Sequence, residues 1–225
     1  MSYKIFSLGD SALTIDFGNE ISVGLNNRVL KLAQIFDKNS FEGLVEIVPA
    51  YSSLTVFYDV FKVRKNFPEF LTAFAAVESF VENALENSDA LQKAESRLIE
   101  IPLCFDREFA PDLDFVATEN NLAKQEVIEI FLGEMYRVFM LGFLPGFAYM
   151  GEVDRRIATP RKTSPRLKVP KGSIGIAGKQ TGIYPLASPG GWQIIGRTDI
   201  ELFIPNGEKP TFLQAGDLVK FYSQN

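Results

Sequence analysis

Arg161 and Arg166 each follow a proline, in Pro160-Arg161 and Pro165-Arg166. Proline fixes its own φ and restricts the residue before it, so a stiff backbone aims both side chains. A guanidinium presents a planar fork that matches a carboxylate or a phosphate bidentately. Downstream, Gln180, Thr181 and Tyr184 bring an amide, a hydroxyl and a phenol close together. An amide side chain can donate to one group of a neutral amide and accept from another. Ser188-Pro189-Gly190-Gly191 is a stiff, close-approach loop leading to Trp192, the single tryptophan, which reads either as core or as a flat wall for a small ring. Arg197 either reaches the same pocket or pairs with Asp199. The expected binding set is thus Arg161, Arg166, Gln180, Thr181, Tyr184, Ser188, Gly190, Gly191, Trp192 and Arg197, while Lys162 and Lys168 read as a solvated basic loop.

Absences narrow the chemistry further. The 225 residues include no histidine and one cysteine, Cys104. Nucleophile–histidine arrangements and histidine-ligated metals are removed, and no metal site is expected. The remaining acid–base groups are Asp10, Asp16, Glu152, Asp154, Asp199 and Asp217. Asp10 and Asp217 adjoin turn glycines, where hydrogen bonding within the turn is their ordinary role, and no residue is assigned as catalytic. The run Gly142-Phe143-Leu144-Pro145-Gly146-Phe147 has the glycines of a phosphate-cradling loop. It lacks the lysine and hydroxyl that end one, and reads as a turn between strands with Phe143 and Phe147 packed inward. Gly172 and Gly178 suit β-turns or bulges, and Cys104 reads as a small buried hydrophobe.

These residues need a frame. The first half shows strands at 3–8 and 12–17, a helix from Ile21 to Phe36 with Ser22 as its cap, strands at 44–48 and 54–58, and a helix from Phe67 to Leu85. That order suggests a compact α+β domain with helices on one sheet face. A polar stretch, Asn83–Ser96, marks a boundary, giving domains 1–90 and 96–225. The second half opens with a strand at 98–105, then helices at 111–120 and 122–131, the latter capped by Asn120 or Asn121. Short strands follow at 136–144, 168–169, 173–177, 182–185, 193–197, 201–204 and 218–222, the pattern of an antiparallel barrel or sandwich. A net charge of −5 argues against nucleic acid as a partner. No apolar run approaches a membrane span and the N-terminus lacks a signal-peptide pattern, so a cytoplasmic protein with no membrane partner is expected.

The segments GDSALTIDFGN, VEIVPAYSSLTVFYD, LGFLPGFAYMG, TPRKTSPRLKVPKGSIGIAGKQTGIYPLASPGGWQIIGRT and AGDLVKFY together resemble the KipI family. This family is also called allophanate hydrolase subunit 1 or the 5-oxoprolinase B subunit, and the likeness spans nearly the whole chain. The resemblance implies a ferredoxin-like N-terminal domain followed by a mainly-β cyclophilin-like barrel. It also implies a complex with the C subunit of 5-oxoprolinase (a KipA-like chain) and its A subunit, which together cleave 5-oxo-L-proline to L-glutamate using ATP. Which chain of the complex binds ATP is left open. Other roles in the family are inhibition of a sensor histidine kinase and a part in urea or allophanate pathways. Two departures stand out: many relatives carry a histidine aligning near Phe131, and commonly an arginine at the place of Ser52 or Ser53.

Overall fold

Apolar and polar residues alternate along the strands of residues 3–87, and the sheet follows that alternation. The computed structural model describes residues 3–87 and 96–224 and divides into two compact units, within 1–95 and 96–225. In the first unit, β1 (Lys4–Ser7), β2 (Ala12–Asp16), β3 (Leu44–Pro49) and β4 (Ser53–Tyr58) form an antiparallel sheet in the order β1-β2-β4-β3. Leu13 pairs with Val56 and Ile15 with Leu54, so one face is apolar. It packs on Val29, Leu32 and Phe36 of α1 (Val23–Lys38) and on Val77 and Val81 of α3 (Ala73–Asn87). Ser22 holds the N-cap position of α1, yet its side chain makes no capping bond.

Two corrections arise here. A short helix absent from the sequence reading, α2 (Val60–Asn66), starts at Asp59, whose carboxylate accepts from the Lys62 amide at 3.0 Å. The following helix begins at Ala73 rather than Phe67, with Thr72 Oγ1 accepting from the Ala75 amide at 3.0 Å. The apolar spacing that suggested an earlier start comes from loop rings. Phe67 and Phe70 lie against Phe80, with centroids 4.8 and 6.3 Å away. Of the expected linker, Asn83–Asn87 belong to α3 and residues 88–95 lie outside the described residues.

The second unit is built on a seven-stranded sheet ordered β12-β9-β10-β7-β6-β13-β5. Its strands are β5 (Leu98–Leu103), β6 (Met135–Leu141), β7 (Ala148–Gly151), β9 (Ser173–Ala177), β10 (Gln180–Ile183), β12 (Gln193–Arg197) and β13 (Leu218–Ser223). β8 (Arg166–Val169) and β11 (Ser188–Gly190) form a separate two-stranded ribbon. The sheet is mixed rather than antiparallel, because β13 runs parallel to β5 and antiparallel to β6. Parallel neighbours need a long crossover, and here everything from Cys104 to Asp217 lies between the two strands. The sheet curls until its edges meet at one bridge, with paired backbone bonds of 2.8 and 3.0 Å between Cys104 and Arg197. The strand expected at 201–204 reduces to a single bridge from Phe203 to Thr211.

α4 (Leu113–Glu119) and α5 (Lys124–Gly133) precede β6. α5 starts beyond Asn120 and Asn121, where the Ala123 amide donates to Glu126 at 2.7 Å. Phe131, the place of the family histidine, is fully buried and stacks on Tyr136 and Phe221, with centroids 4.9 and 5.3 Å away. That position serves packing. Asp217 is likewise structural: its buried carboxylate accepts from Arg97 Nε and Nη2 at 2.8 and 2.5 Å and from the Gln214 amide at 2.8 Å. Cys104 is half-buried and lines a cavity with Phe105, Phe109, Ile128 and Leu132, contrary to the buried reading. Among the described residues no helix is long and apolar enough to cross a membrane, and no cluster of ligating side chains could hold a metal.

Candidate functional site

One cross-strand row decides the character of the sheet face opposite the main core. Tyr149 of β7 pairs with Gly182 of β10, Gly182 with Gly175 of β9, and Gly175 with Ile194 of β12. The two central members are glycines, so a strip of bare backbone is left on which rings can lie. A Cβ on Gly182 would stand 3.0 Å from the Phe147 ring, and one on Gly175 would stand 3.0 Å from Trp192 Cβ. Phe147 in turn meets Tyr149, Tyr184 and Trp192 edge-on, with centroids 4.8, 5.2 and 5.5 Å away. Edge-to-face contacts of this kind add to the burial of the rings themselves. Phe147, Tyr184, Trp192, Ile194, Val169 and Ala177 form one buried cluster.

Cationic groups surround the rings. The Arg161 guanidinium lies 5.8 Å from the Trp192 ring centroid, within cation–π range. Its charge reaches both Tyr149 and Tyr184, and Tyr184 also feels Arg166. Burial pushes both phenols up from their ordinary value, outweighing the arginines and, at Tyr184, the Trp192 backbone amide bonded to its oxygen. Both are neutral hydrogen-bonding groups at physiological pH. Gly190 makes this possible at Tyr184, since a Cβ there would come within 2.4 Å of the phenol oxygen.

The loop carrying the arginines is tied down at several points. The Lys162 amide donates to the Gly191 carbonyl at 2.8 Å, and Gln193 Nε2 donates to the Pro160 carbonyl at 2.9 Å. Arg166 Nη2 donates to Asp112 Oδ1 at 2.5 Å, while its Nη1 is buried without a partner. Asp112, which the sequence reading missed, is itself buried at the start of α4.

The structure therefore brings Arg161, Arg166, Tyr184, Gly190, Gly191 and Trp192 together and adds Phe147, Tyr149 and Asp112. Trp192 is both core and wall, being 5 % exposed with a guanidinium above it. Thr181 and Arg197 stand elsewhere, while Gln180 and Ser188 lie at the margin of the ring cluster, paired with its Ala177 and Val169. Thr181 is fully buried and its hydroxyl donates to the Gly175 carbonyl at 3.0 Å, because strand alternation turns it toward the main core with Ile183. Arg197 sits 5.2 Å from the Phe109 ring centroid beside the Cys104 bridge, with Nε buried and unpartnered. Gln180 begins β10, paired between Ala177 and Gly151. The Ser188 hydroxyl donates to the Pro189 carbonyl at 3.2 Å. Phe143 also departs from expectation: it is 61 % exposed at φ +67°, while Phe147 is buried.

Residues 3–213 match the family described as carboxyltransferase domain, subdomain C and D. The 5-oxoprolinase B subunit of Bacillus subtilis is 47% identical over 97% of this chain and 92% of its own length. That of Escherichia coli O157:H7 is 39% identical over 98% of this chain and 96% of its own. The chain belongs to the family of 5-oxoprolinase B subunits. Among solved structures, the protein PH0987 of Pyrococcus horikoshii is 49% identical with a TM-score of 0.56, covering 99% of this chain and 98% of that one. TTHA0988 is 33% identical with a TM-score of 0.80; the match covers 95% of this chain but 40% of that longer chain.

For this family member the site's composition sets what it can do. Two guanidiniums and two neutral phenols around an aromatic wall can bind a small anion and stabilise a developing oxyanion. Neither a guanidinium nor a phenol that burial keeps neutral serves as a general base near neutral pH. The neighbouring carboxylate, Asp112, is occupied by Arg166, by Lys162 at 3.4 Å and by the Ile194 amide at 2.7 Å.

Proposed function

We propose that this chain is the B subunit of an ATP-dependent 5-oxoprolinase, binding 5-oxo-L-proline where Arg161, Arg166, Tyr149, Tyr184 and Trp192 converge. The carrying observation is electrostatic: one guanidinium reaches both phenols, and a second reaches Tyr184 with a buried nitrogen to spare. The substrate's carboxylate fits the arginines, its flat five-membered ring fits beside Arg161 at the rim of Trp192, and the half-buried Tyr149 phenol can donate to the lactam oxygen. Near-full-length identity to proteins named as 5-oxoprolinase B subunits supports the reading. The site residues provide binding, orientation and oxyanion stabilisation, so the complex must supply the attacking water's base from another chain. The partners in this reading are the C and A subunits, and the assembly is cytoplasmic.

ATP provides the activation of the lactam carbonyl when it is bound by the complex. The one glycine loop here that resembles a phosphate cradle folds on itself: the Gly142, Leu144 and Phe147 amides donate to Phe147, Gly142 and Leu144 carbonyls. With three of its five amides spent within the loop, it is a poor phosphate cradle, and we assign the nucleotide to a partner chain. We also read the first unit (domain 1–90) as ferredoxin-like with its outer strand β1 first in sequence, and the second (96–225) as a cyclophilin-like barrel. The strand orders of the two sheets support both readings. The functional test is ATP-dependent glutamate release from 5-oxo-L-proline by this chain alone, by the A and C subunits, and by all three. Activity restricted to the full mixture is expected, and equal activity without this chain refutes the proposal.

A further inference from the structure

We infer that Asp112 is a positioning residue that divides the Arg166 fork, holding one nitrogen so that the other stands ready for a substrate carboxylate oxygen. This rests on the placement of 5-oxo-L-proline at the ring cluster. Asp112 is 4 % exposed, and both carboxylate oxygens are engaged. Oδ1 accepts from Arg166 Nη2 at 2.5 Å and from Lys162 Nζ at 3.4 Å, and Oδ2 accepts from the Ile194 amide at 2.7 Å. The Asp112 amide donates back to the Ile194 carbonyl at 2.9 Å, so Asp112 pairs with the edge of β12 as a neighbouring strand would. One carboxylate thus fixes the strand that follows Trp192 and the guanidinium beside Tyr184. The aromatic wall and the anion donor are held in one register.

The fork is used asymmetrically. A guanidinium bound edge-on to a carboxylate commonly spends two parallel N–H groups on it. Arg166 spends Nη2 alone, and Nη1 is buried with no acceptor. Leaving a buried donor unsatisfied is costly; Nη1 is closed to solvent, so a carboxylate oxygen removes that cost by displacing the groups that cover it. The donor is also preorganised, because Pro165 and the pairing of Arg166 with Gly190 fix the backbone behind it. A lysine at 166 could keep the ion pair with Asp112, but its single ammonium could not reproduce a second, separately aimed donor.

Trp192 is the single tryptophan, so its fluorescence reports occupancy of the wall. The test titrates 5-oxo-L-proline into the reconstituted complex of this chain with the A and C subunits, reading Trp192 against tryptophan-free partners and glutamate release in parallel. Arg166→Lys is expected to weaken binding and raise KM at least ~10-fold, with kcat changed less than ~3-fold. Asp112→Asn should do the same, and adding it to Arg166→Ala should weaken binding no further, because Asp112 acts through Arg166. Arg166→Lys binding as tightly as wild type overturns the inference, even should Asp112→Asn fail to fold. So does a further ~10-fold loss when Asp112→Asn is added to Arg166→Ala. Normal glutamate release with no wild-type Trp192 response overturns the placement of the site while leaving the activity standing. Absence of both signals overturns the functional proposal itself.

Discussion

Gly190→Ala tests the packing on which the candidate site depends. A methyl group at 190 would stand 2.4 Å from the Tyr184 hydroxyl and 2.9 Å from two of its ring carbons. Tyr184 is 1 % exposed and its ring is held edge-on against Phe147, so it cannot swing away. Forcing one extra methyl into a closed core costs about 1–3 kcal/mol. At roughly 2–4 °C per kcal/mol for a chain of this size, Tm should fall by about 2–12 °C. Adding Tyr184→Phe removes the 2.4 Å contact but leaves the 2.9 Å ones, so it should restore part of the loss. Urea unfolding followed by Trp192 fluorescence measures each step, with near-ultraviolet dichroism reporting on ring order. A Gly190→Ala protein within about 0.5 kcal/mol of wild type, the ordinary range for surface changes, would refute the close-packed arrangement.

Three further outcomes are expected. Asp154 is held down to about 2 by side-chain and backbone hydrogen bonds from Arg156, below its unfolded value of about 3.9. A depressed carboxylate contributes its stability above the unfolded value and loses it as pH falls from about 4 toward 2. Asp154→Asn should therefore flatten that part of the Tm profile, modestly and in a salt-sensitive way, because the pair is solvent-facing; an unchanged acid limb counts against it. Burial raises the Tyr184 phenol, so the wild-type minus Tyr184→Phe difference at ~295 nm should show no phenolate below about pH 10, and an earlier signal contradicts the site's electrostatics. Phe147→Ala should cost about 3–5 kcal/mol in urea unfolding, whereas exposed Phe143→Gly should change stability by less than about 1 kcal/mol, since glycine accepts its positive φ. Equal losses at both positions would mean that Phe143 is packed after all.

Several parts of this architecture are legible in the sequence because their signals are local. The hairpin strands of the first unit show period-two alternation, and α1 shows a helical stripe, so both lie within a few residues of their expected places. The Pro-Arg units and the glycine loop before Trp192, singled out together, also lie side by side in the fold, joined by the Lys162–Gly191 backbone bond. Long-range partners leave no such mark. Nothing in the run around Asp112 announces that its carboxylate meets Arg166, 54 residues away. Thr181 and Tyr184 look equivalent as neighbours in sequence, yet the pleat sends them to opposite faces. Phe143 and Phe147 share a motif, and the turn between them buries one and exposes the other. β7 escapes notice because its four residues, Ala148–Gly151, are too short to show a period. Arg197 stands apart from the ring cluster for a different reason: the edge-to-edge bridge with Cys104 carries it to Phe109, and sheet closure cannot be seen in a single strand.

The place of β13 bears on how the protein is made. Residues 218–223 supply an interior strand between β6 and β5, and Arg97 and Asp217, which clamp its start, are 120 residues apart. A ribosome adding about 5–20 residues per second needs roughly 6–24 s to cover that distance. β5 waits through nearly all of that interval and β6 through its later part, each with an unpaired edge, the condition under which nascent chains pair wrongly or recruit chaperones. The first unit, whose strands all lie within residues 4–58, meets no such delay. Biosynthesis should therefore run in two tempos, an early fold for the N-terminal unit and a late, all-at-once closure for the unit that carries the candidate site.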